Sequence, residues 1–441
     1  MADARMSPLG RLLSRLAPIE PREVPAVVAS FSLFFLMWAG YFAVRPVRET
    51  VGTLIGRDAV ADLWLYTALF AILIIPTFGA IVARIRRSVF LPGIYALVAV
   101  VLAGTGLAFT GGDIAPAVGK FFYVFISVLN VFLISLFWSF MLDLFEKEQT
   151  KRLFGVIAAG GTTGALFGPF ISDVTATTIG ESGILFLGAA FFVGAIVCQR
   201  LLLRIWKERP SAPRGQEDRP IGGNVFAGVT IILRSPYLLG IALFVVGITT
   251  VSTLLYFEQL RLVELTFADT SERTRIFARL DWIVQSLTVL SQIFLTGRIA
   301  SRLGVTTLLT LVPCLMVVGF LVLAATGTFA ALAVVFVLRR AGEYAFVRPG
   351  REMLWSPLDP ETKYKAKNTV DVPVYRASDY VVAQASTGIQ AAGMSAAGVM
   401  VIGAVAAALW GLVGWWLGRR FESGGTAASR APEGIAQESS A

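Results

Sequence analysis

The chain has 441 residues, of which 56% are hydrophobic and only 15% are charged. Soluble globular chains are roughly 45–50% apolar and about 25% charged, so this composition excludes an ordinary soluble protein. The net charge is +9, but the basic residues cluster between apolar stretches, where they set membrane topology, so we expect a lipid bilayer and no nucleic acid as partner.

Apolar stretches of about 20 residues recur along the chain, and this is the length that a helix needs to cross about 30 Å of hydrocarbon. We predict six of them in the first half, at 25–44, 63–84, 90–109, 118–142, 153–174 and 184–205. Six more follow at 237–257, 281–300, 305–325, 329–347, 374–392 and 399–418. The sequence thus predicts an all-α membrane protein with twelve transmembrane helices.

The segments outside these stretches divide the chain into domains. Residues 1–24 lack the short apolar core of a secretory signal and are expected to form a cytoplasmic tail. Residues 25–205 and 236–420 are predicted to form two six-helix bundles. Residues 206–235 begin with many Arg, Pro and Gly residues and are expected to be a cytoplasmic linker. Residues 421–441 are expected to be a disordered tail.

Lysine and arginine are concentrated on one side of the predicted topology. Their clusters lie at 84–87, 147–152, 200–219, 298–302, 348–367 and 419–420. By the positive-inside rule this side is cytoplasmic, which places both termini inside the cell and the chain across the cell (inner) membrane of a bacterium. The opposite loops are mostly poor in basic residues, except two predicted loops of mixed charge at 45–62 and 258–281.

The two halves share short sequence matches in the same order. Residues 79–85 after the second span are similar to 297–303 after the eighth, and residues 149–151 after the fourth are similar to 361–363 after the tenth. Parallel repeats of this kind are typical of transporters of the major facilitator type. We therefore expect a solute site between the bundles near the bilayer midplane, exposed to each side in turn.

No motif for catalysis, a cofactor or a metal is present. The chain lacks the GxxxxGK[ST] phosphate loop and has no histidine, which excludes an imidazole proton relay. Its two cysteines, Cys198 and Cys314, both fall inside predicted membrane helices, so neither a disulfide framework nor a zinc site is expected. We predict that the protein is not an enzyme and uses no cofactor.

Glycines recur at four-residue spacing in the fifth predicted span, at Gly160, Gly164 and Gly168. Such a stripe could form a backbone nest for an anion, but it is more often a face where two helices approach closely. We predict close packing there, and the same for Gly414 and Gly418 in the last span.

Charged residues at membrane depth are costly without a partner or a wet cavity. The first span ends in Arg45, Arg48 and Glu49, which lie three to four positions apart and thus on one helical face. One interpretation is an outer interfacial anchor with snorkelling arginines. The other is a cavity in which Arg45 and Arg48 bind an anionic solute.

A second charged group, Arg339, Arg340 and Glu343, lies in the tenth span with apolar sequence on both sides. Arg339 and Glu343 are spaced to pair along the helix. Arg340 would then be available to bind a phosphate or carboxylate with two parallel hydrogen bonds. We predict that Arg340 and Glu343 face a solute cavity.

Further polar residues within the spans are weaker candidates: Asn130, Asp281, Gln285, Asp379 and Gln384. Hydrogen bonds between helices explain the amides equally well, and Asp281 could cap its helix. If a proton is coupled to transport, Glu343, Asp281 or Asp379 could carry it once burial favours the protonated form.

The stretch from Arg340 to Lys367, continuing to Asp371-Val372, resembles the ATP/ADP translocase family of plastids and obligate intracellular bacteria, distant relatives of the major facilitator superfamily. The motif Arg45-Pro-Val-Arg48-Glu49 is similar to the basic–x–x–basic–acidic motif at the end of the family's first helix. Residues 137–140 and 151–152 are similar to the exit of its fourth helix.

This resemblance implies nucleotide exchange by alternating access, with basic residues holding phosphates. Arg48 falls at a family lysine implicated in transport, and Arg340 and Arg351 fall at other basic positions. Two positions depart from the family: Ile126 replaces an acidic residue of the fourth helix, and Glu343 stands where a basic residue is expected. A related solute of different charge is therefore an open alternative.

The sequence leaves two further alternatives open. One is a proton-coupled major facilitator carrier of another organic solute, and the other is a membrane sensor or assembly subunit that transports nothing. We expect the partner to be a small anionic solute such as a nucleotide, and the chain is expected to act as a monomer.

Overall fold

A computed structural model describes residues 19–84, 87–111, 114–206 and 227–424. Most of the predicted N-terminal tail, most of the linker and the C-terminal tail beyond residue 424 lie outside the described residues. Within the described residues the regular structure is entirely helical, which confirms the all-α prediction.

Five helices precede the linker: α1 (Val24–Ile55), α2 (Arg57–Arg84), α3 (Arg87–Phe109), α4 (Pro116–Leu144) and α5 (Lys147–Ile205). The assignment of α5 runs across a break at Gly180, whose φ of 64° and ψ of −176° are not helical. A positive φ is readily adopted only by glycine. The break falls between the predicted spans 153–174 and 184–205.

Nine helices follow the linker in the described residues: α6 (Ala227–Arg234), α7 (Pro236–Thr266), α8 (Thr270–Ser291), α9 (Gly297–Thr326), α10 (Phe329–Gly342), α11 (Arg348–Met353), α12 (Pro360–Thr369), α13 (Tyr375–Ala391) and α14 (Ala396–Glu422). Short π-helical segments join α8 to α9, α10 to α11 and α12 to α13. A second glycine break, at Gly304 with φ 80°, divides α9 near its start.

Seven of the described helical stretches are long and apolar enough to cross a membrane. Two of the seven contain the breaks at Gly180 and Gly304. Two predicted spans correspond to shorter helices, α10 and α13, which have 14 and 17 residues. A span count of twelve and cytoplasmic termini stay predictions.

The two predicted loops of mixed charge are helical, so that prediction was wrong. α1 continues through the charged residues to Ile55, and only Gly56, with φ 85°, separates it from α2. α7 likewise continues to Thr266, and α8 already begins at Thr270. In the extension of α1 and in the first half of α8, several charged side chains bond to groups on neighbouring helices, as described below.

The chain divides into two compact units. The first consists of Met1–Arg219 together with Phe267–Ile283, and the second consists of Pro220–Thr266 together with Val284–Ala441. The division passes through α8, so the first half of α8 packs with the helices that precede the linker.

In the first unit the glycine stripe of α5 packs directly on the backbone of α1. A Cβ atom at Gly160 would lie 2.4 Å from the Phe31 carbonyl oxygen, and one at Gly164 would lie 2.4 Å from the Phe35 carbonyl oxygen. At Gly168 the distance to the Ala39 carbonyl oxygen would be 2.5 Å. No side chain fits in these spaces, which confirms the predicted packing face.

In the second unit α14 approaches α9 in the same way. A Cβ atom at Gly414 would lie 2.9 Å from the Leu309 carbonyl oxygen, and one at Gly418 would lie 2.5 Å from the Thr306 Cα. The prediction for the last span is therefore confirmed as well.

Candidate functional site

A charged cluster in the first unit is built on one face of α1. Arg45, Arg48 and Glu49 follow one another at helical spacing, and their side chains are 18%, 14% and 7% exposed. Asp281 of α8 joins them with a side chain that is only 5% exposed. We call these four residues the α1–α8 cluster.

Arg48 is held by groups on α1 and α4. Its guanidinium donates to the Glu49 carboxylate and to the Ser127 hydroxyl at 3.1 Å. It also lies 5.2 Å from the centre of the Tyr123 ring, within the range of a cation–π interaction. The side chain therefore bonds to protein groups on α1 and α4.

Arg45 is bonded to two carboxylates. Its Nη1 lies 3.1 Å from Asp281 Oδ2 and its Nη2 lies 3.8 Å from Glu49 Oε1. Because α8 begins at Thr270, Asp281 lies well inside the helix, and the alternative that it caps its helix is wrong. A pair separated by 236 positions gives no local signal in one sequence, so the prediction named both residues without joining them.

A second polar contact of α8 was missed altogether. Asp173 of α5, which is almost fully buried, accepts from Arg279 at 3.0 and 3.2 Å and from the Trp282 indole at 2.9 Å. Arg275 lies 3.5 Å from the same carboxylate. The signal that could have found this site was an acidic residue at the end of a predicted span, where an unpaired charge is costly.

Threonines extend this contact towards the start of α8. The hydroxyls of Thr50 and Thr274 are 2.6 Å apart, and Arg273 donates to the Thr53 hydroxyl at 3.0 Å. Thr274 also donates to Glu181 at 3.2 Å. Polar bonds thus hold the first half of α8 on both α1 and α5.

The second unit contains its own charged cluster at the junction of α10 and α11. Arg339 Nη1 lies 3.0 Å from Glu343 Oε2, which confirms the predicted pairing along the helix. Arg339 also donates to the Ser252 hydroxyl of α7, and Arg348 lies 3.1 Å from the other oxygen of Glu343. Glu343 therefore bridges two guanidinium groups.

Arg340 lies beside this bridge and is also buried. Its guanidinium is 5.2 Å from the centre of the Phe336 ring. Asp379 of α13 accepts from the Thr253 hydroxyl at 3.5 Å and lies 4.0 Å from Arg376. The structure thus places Arg340, Glu343 and Asp379 in the second unit.

Arg351 lies on α11, in the connector that follows. Its Nη2 is 3.1 Å from Asp371 Oδ1 and 3.7 Å from Glu352 Oε1, and Lys367 pairs with Glu352. Burial raises the pKa of the Asp371 carboxyl, and the nearby Arg351 and Lys367 offset only part of this effect. This network ties α11 to the segment that leads into α13.

The remaining candidates are less enclosed. Asn130 is exposed and Gln285 is half-buried, whereas Ile126, at the position where the family carries an acid, is buried on α4. In the parts of the chain that the structure describes, no three Asp, Glu or Cys side chains come together as metal ligands.

Comparison with known proteins places the chain among transporters. No protein-family model matches it. It is 24% identical over 445 residues to the ADP,ATP carrier protein 1 of Chlamydia muridarum, covering 85% of this chain and 84% of the carrier. It is 20% identical to the carrier of the same name from Chlamydia pneumoniae, covering 85% and 86%.

Solved structures of transporters share the fold. A bacterial homologue of the lysosomal transporter Spinster has a TM-score of 0.61 at 14% identity, covering 92% of this chain and 98% of that one. The nucleoside transporter NupG gives 0.61 at 13% identity, covering 90% and 98%. A bacterial homologue of the iron transporter ferroportin gives 0.63 at 13% identity, covering 90% and 99%.

These findings confirm the resemblance to the ATP/ADP translocase family on a fold of the major facilitator type. The relatives are transporters and not enzymes. The chain is accordingly a multi-pass transporter of the bacterial cell membrane.

Proposed function

We propose that this transporter exchanges a nucleotide-like anion across the membrane by alternating access. The observation that carries the proposal is the presence of two arginines with side chains only 18% and 14% exposed, Arg45 and Arg48, on the first helix of a chain that is similar to ADP,ATP carriers over 85% of its length.

Arginine suits this role for chemical reasons. Its planar guanidinium can donate two parallel hydrogen bonds to a phosphate, and it keeps its charge when it is buried. Charged groups inside a membrane are costly, and they commonly mark a substrate pathway. The α1–α8 cluster therefore offers the chemistry that a phosphorylated solute needs.

Residues of the second unit are proposed to contribute as well. Arg340 and Arg351 fall at basic positions of the ATP/ADP translocase family, which this chain resembles. Arg340 is buried beside Glu343, the carboxylate that pairs with Arg339. Arg351 is bonded to Asp371 in the connector. We expect Arg340 to contact the solute and Arg351 to act near the cytoplasmic side.

Proton coupling is the second candidate function, and Asp379 is the observation that favours it. This carboxylate lies within α13, with a hydroxyl partner at 3.5 Å and an arginine no closer than 4.0 Å. Glu343 and Asp281, in contrast, each lie within 3.1 Å of a guanidinium nitrogen.

Liposome flux tests the proposal and separates the two candidates. Purified protein is reconstituted into liposomes with or without internal ADP, and the uptake of labelled ATP is measured with and without a protonophore. We expect uptake that requires internal nucleotide and survives collapse of the proton gradient.

Arginine variants test whether the α1–α8 cluster is required for the measured flux. Arg48→Ala should lower the exchange rate by at least about tenfold, since about 1.4 kcal/mol of lost binding energy corresponds to a factor of ten. The matched control is Arg302→Ala, which removes an exposed arginine at the predicted cytoplasmic side.

The unmutated protein separates the candidate functions. Uptake that does not require internal nucleotide and that stops when the protonophore is added would favour proton coupling. Absence of all flux would favour the membrane sensor or assembly subunit that transports nothing.

A further inference from the structure

The ion pair between Arg45 and Asp281 differs from the other ion pairs of the α1–α8 cluster because it joins two helices. Arg45, Arg48 and Glu49 lie on α1 and move together, whereas Asp281 lies on α8. A ligand can therefore replace Asp281 at Arg45 if the Asp281 side chain moves away from α1. Glu49, one turn away from Arg45, stays beside it in any such movement.

We propose that Asp281 is an internal counter-anion, which occupies Arg45 in the empty transporter and is displaced by the transported anion. This inference rests on the proposed function, because it assumes an anionic solute that binds at Arg45. It assigns Asp281 a role in setting solute affinity.

Charge balance supports the assignment. The α1–α8 cluster holds two arginines and two carboxylates, so its formal charges cancel while it is empty. Such balance suits buried groups, since an unpaired charge in this environment is costly. An arriving phosphate would make the cluster negative unless a carboxylate gave way. Asp281 is the carboxylate on the separate helix.

The contacts that surround the pair explain how Asp281 is kept in place. Asp173 binds Arg279 and Trp282, one turn or less from Asp281 along α8. The Thr50–Thr274 contact holds the start of the same helix on α1. None of these contacts uses Arg45 or Arg48, so α8 is positioned independently of the pair that the solute would break.

Nucleotide binding to the full-length protein in lipid nanodiscs tests the proposal. Asp281→Asn keeps the size of the side chain and removes its charge. We expect the Kd for ATP to fall by about tenfold, because the phosphate no longer competes with a carboxylate for Arg45. Asp281→Ser serves as a second uncharged variant if the amide variant does not fold.

A double-mutant cycle shows whether Asp281 acts through Arg45. In the Arg45→Ala background the same Asp281→Asn change should leave the Kd unchanged, since interacting residues are not additive. Asp58→Asn, an equal charge change at an exposed position in the first turn of α2, should also leave the Kd unchanged and thus controls for net charge.

The outcomes separate this inference from the proposed function. If the unmutated protein binds ATP but Asp281→Asn binds it equally or more weakly, the counter-anion role is overturned and nucleotide transport stands. The same holds if the gain persists without Arg45 or appears equally in Asp58→Asn. If the unmutated protein binds no nucleotide, both proposals are overturned.

Discussion

Glu23, just before α1, shows how a single charged residue fastens the start of the first unit. Its fully buried carboxylate accepts from Arg152 at 2.8 and 3.2 Å, from Gln149 at 2.9 Å and from the Glu20 backbone N–H at 3.0 Å. Burial alone would raise the pKa of Glu23, but the hydrogen bonds from Glu20, Arg152 and Gln149 outweigh it and lower the pKa.

A pH dependence of stability follows from this lowered pKa. The unfolded chain binds a proton at Glu23 more readily than the folded chain, so the ionised carboxylate stabilises the fold above an unfolded pKa of 4.5. That contribution is lost as the pH falls through the lower folded value. Glu23→Gln should therefore lower the thermal midpoint at pH 7, through a loss of about 2 kcal/mol, and the difference should shrink below pH 4.5.

Thermal unfolding in detergent at several pH values provides the measurement. Glu20→Gln is the matched control, because its carboxylate is about half exposed and its ion pair with Arg152 is longer, at 3.7 Å; a smaller effect is expected there. A gap between the unmutated protein and Glu23→Gln that stays constant from pH 7 to pH 4 would show that ionisation of Glu23 is not the cause.

Local residue pairs could be predicted from the sequence, whereas distant ones could not. Arg339 and Glu343 are four residues apart, so helical spacing alone predicted their ion pair. Arg45 and Asp281 are joined only by the packing of α8 on α1, which hydropathy and spacing do not encode. The same reason explains why Asp173 and its partners on α8 were missed.

At the scale of the helix, the close packing of α5 on α1 requires glycine at the contact positions of α5, because glycine has no Cβ atom. Gly164→Ala would place a Cβ atom 2.4 Å from the Phe35 carbonyl oxygen, and a backbone atom cannot move away without separating the two helices. We expect a loss of about 1–3 kcal/mol, the usual cost of overpacking. The measurement is the thermal midpoint in detergent.

Gly155 on the same helix provides a matched control. A Cβ atom there would have no neighbour within 4 Å, and alanine is favoured over glycine in a helix by up to about 1 kcal/mol. Gly155→Ala should therefore leave the midpoint unchanged or raise it. Equal destabilisation by the two variants would mean that close approach to α1 is not what Gly164 provides.

Helix positions could be predicted from hydropathy, but several helix ends could not. Each predicted span overlaps a described helix, because a run of apolar residues must form internal hydrogen bonds in lipid. The predicted eighth span began at Asp281, yet α8 begins at Thr270. Hydropathy does not predict the first half of α8, because it contains the charged residues Arg273, Arg275 and Arg279. The partners of these arginines lie on α1 and α5.

At the scale of the whole molecule, the fold depends on the general pattern of the sequence, whereas the function depends on a few particular residues. Transporters with 13–14% identity to this chain share its fold, which shows how little the architecture depends on particular side chains. Function must be argued from the site. Here the distinguishing residues are the largely enclosed arginines and carboxylates of each unit.

The orientation of the chain in the membrane is predicted from the sequence alone. Cysteine labelling in intact cells can test this prediction. The positive-inside rule places the connector around Ser356 in the cytoplasm and the turn around Asp269 outside; both residues are exposed. In a chain whose Cys198 and Cys314 are replaced by alanine, Asp269→Cys should react with a membrane-impermeant maleimide in intact cells. Ser356→Cys should react only after lysis, and Asp269→Cys should react equally before and after it. Labelling of Ser356→Cys alone in intact cells would reverse the orientation. Labelling of both variants in intact cells would mean that an even number of crossings lies between the two sites, where three are predicted, and the twelve-span count would fail.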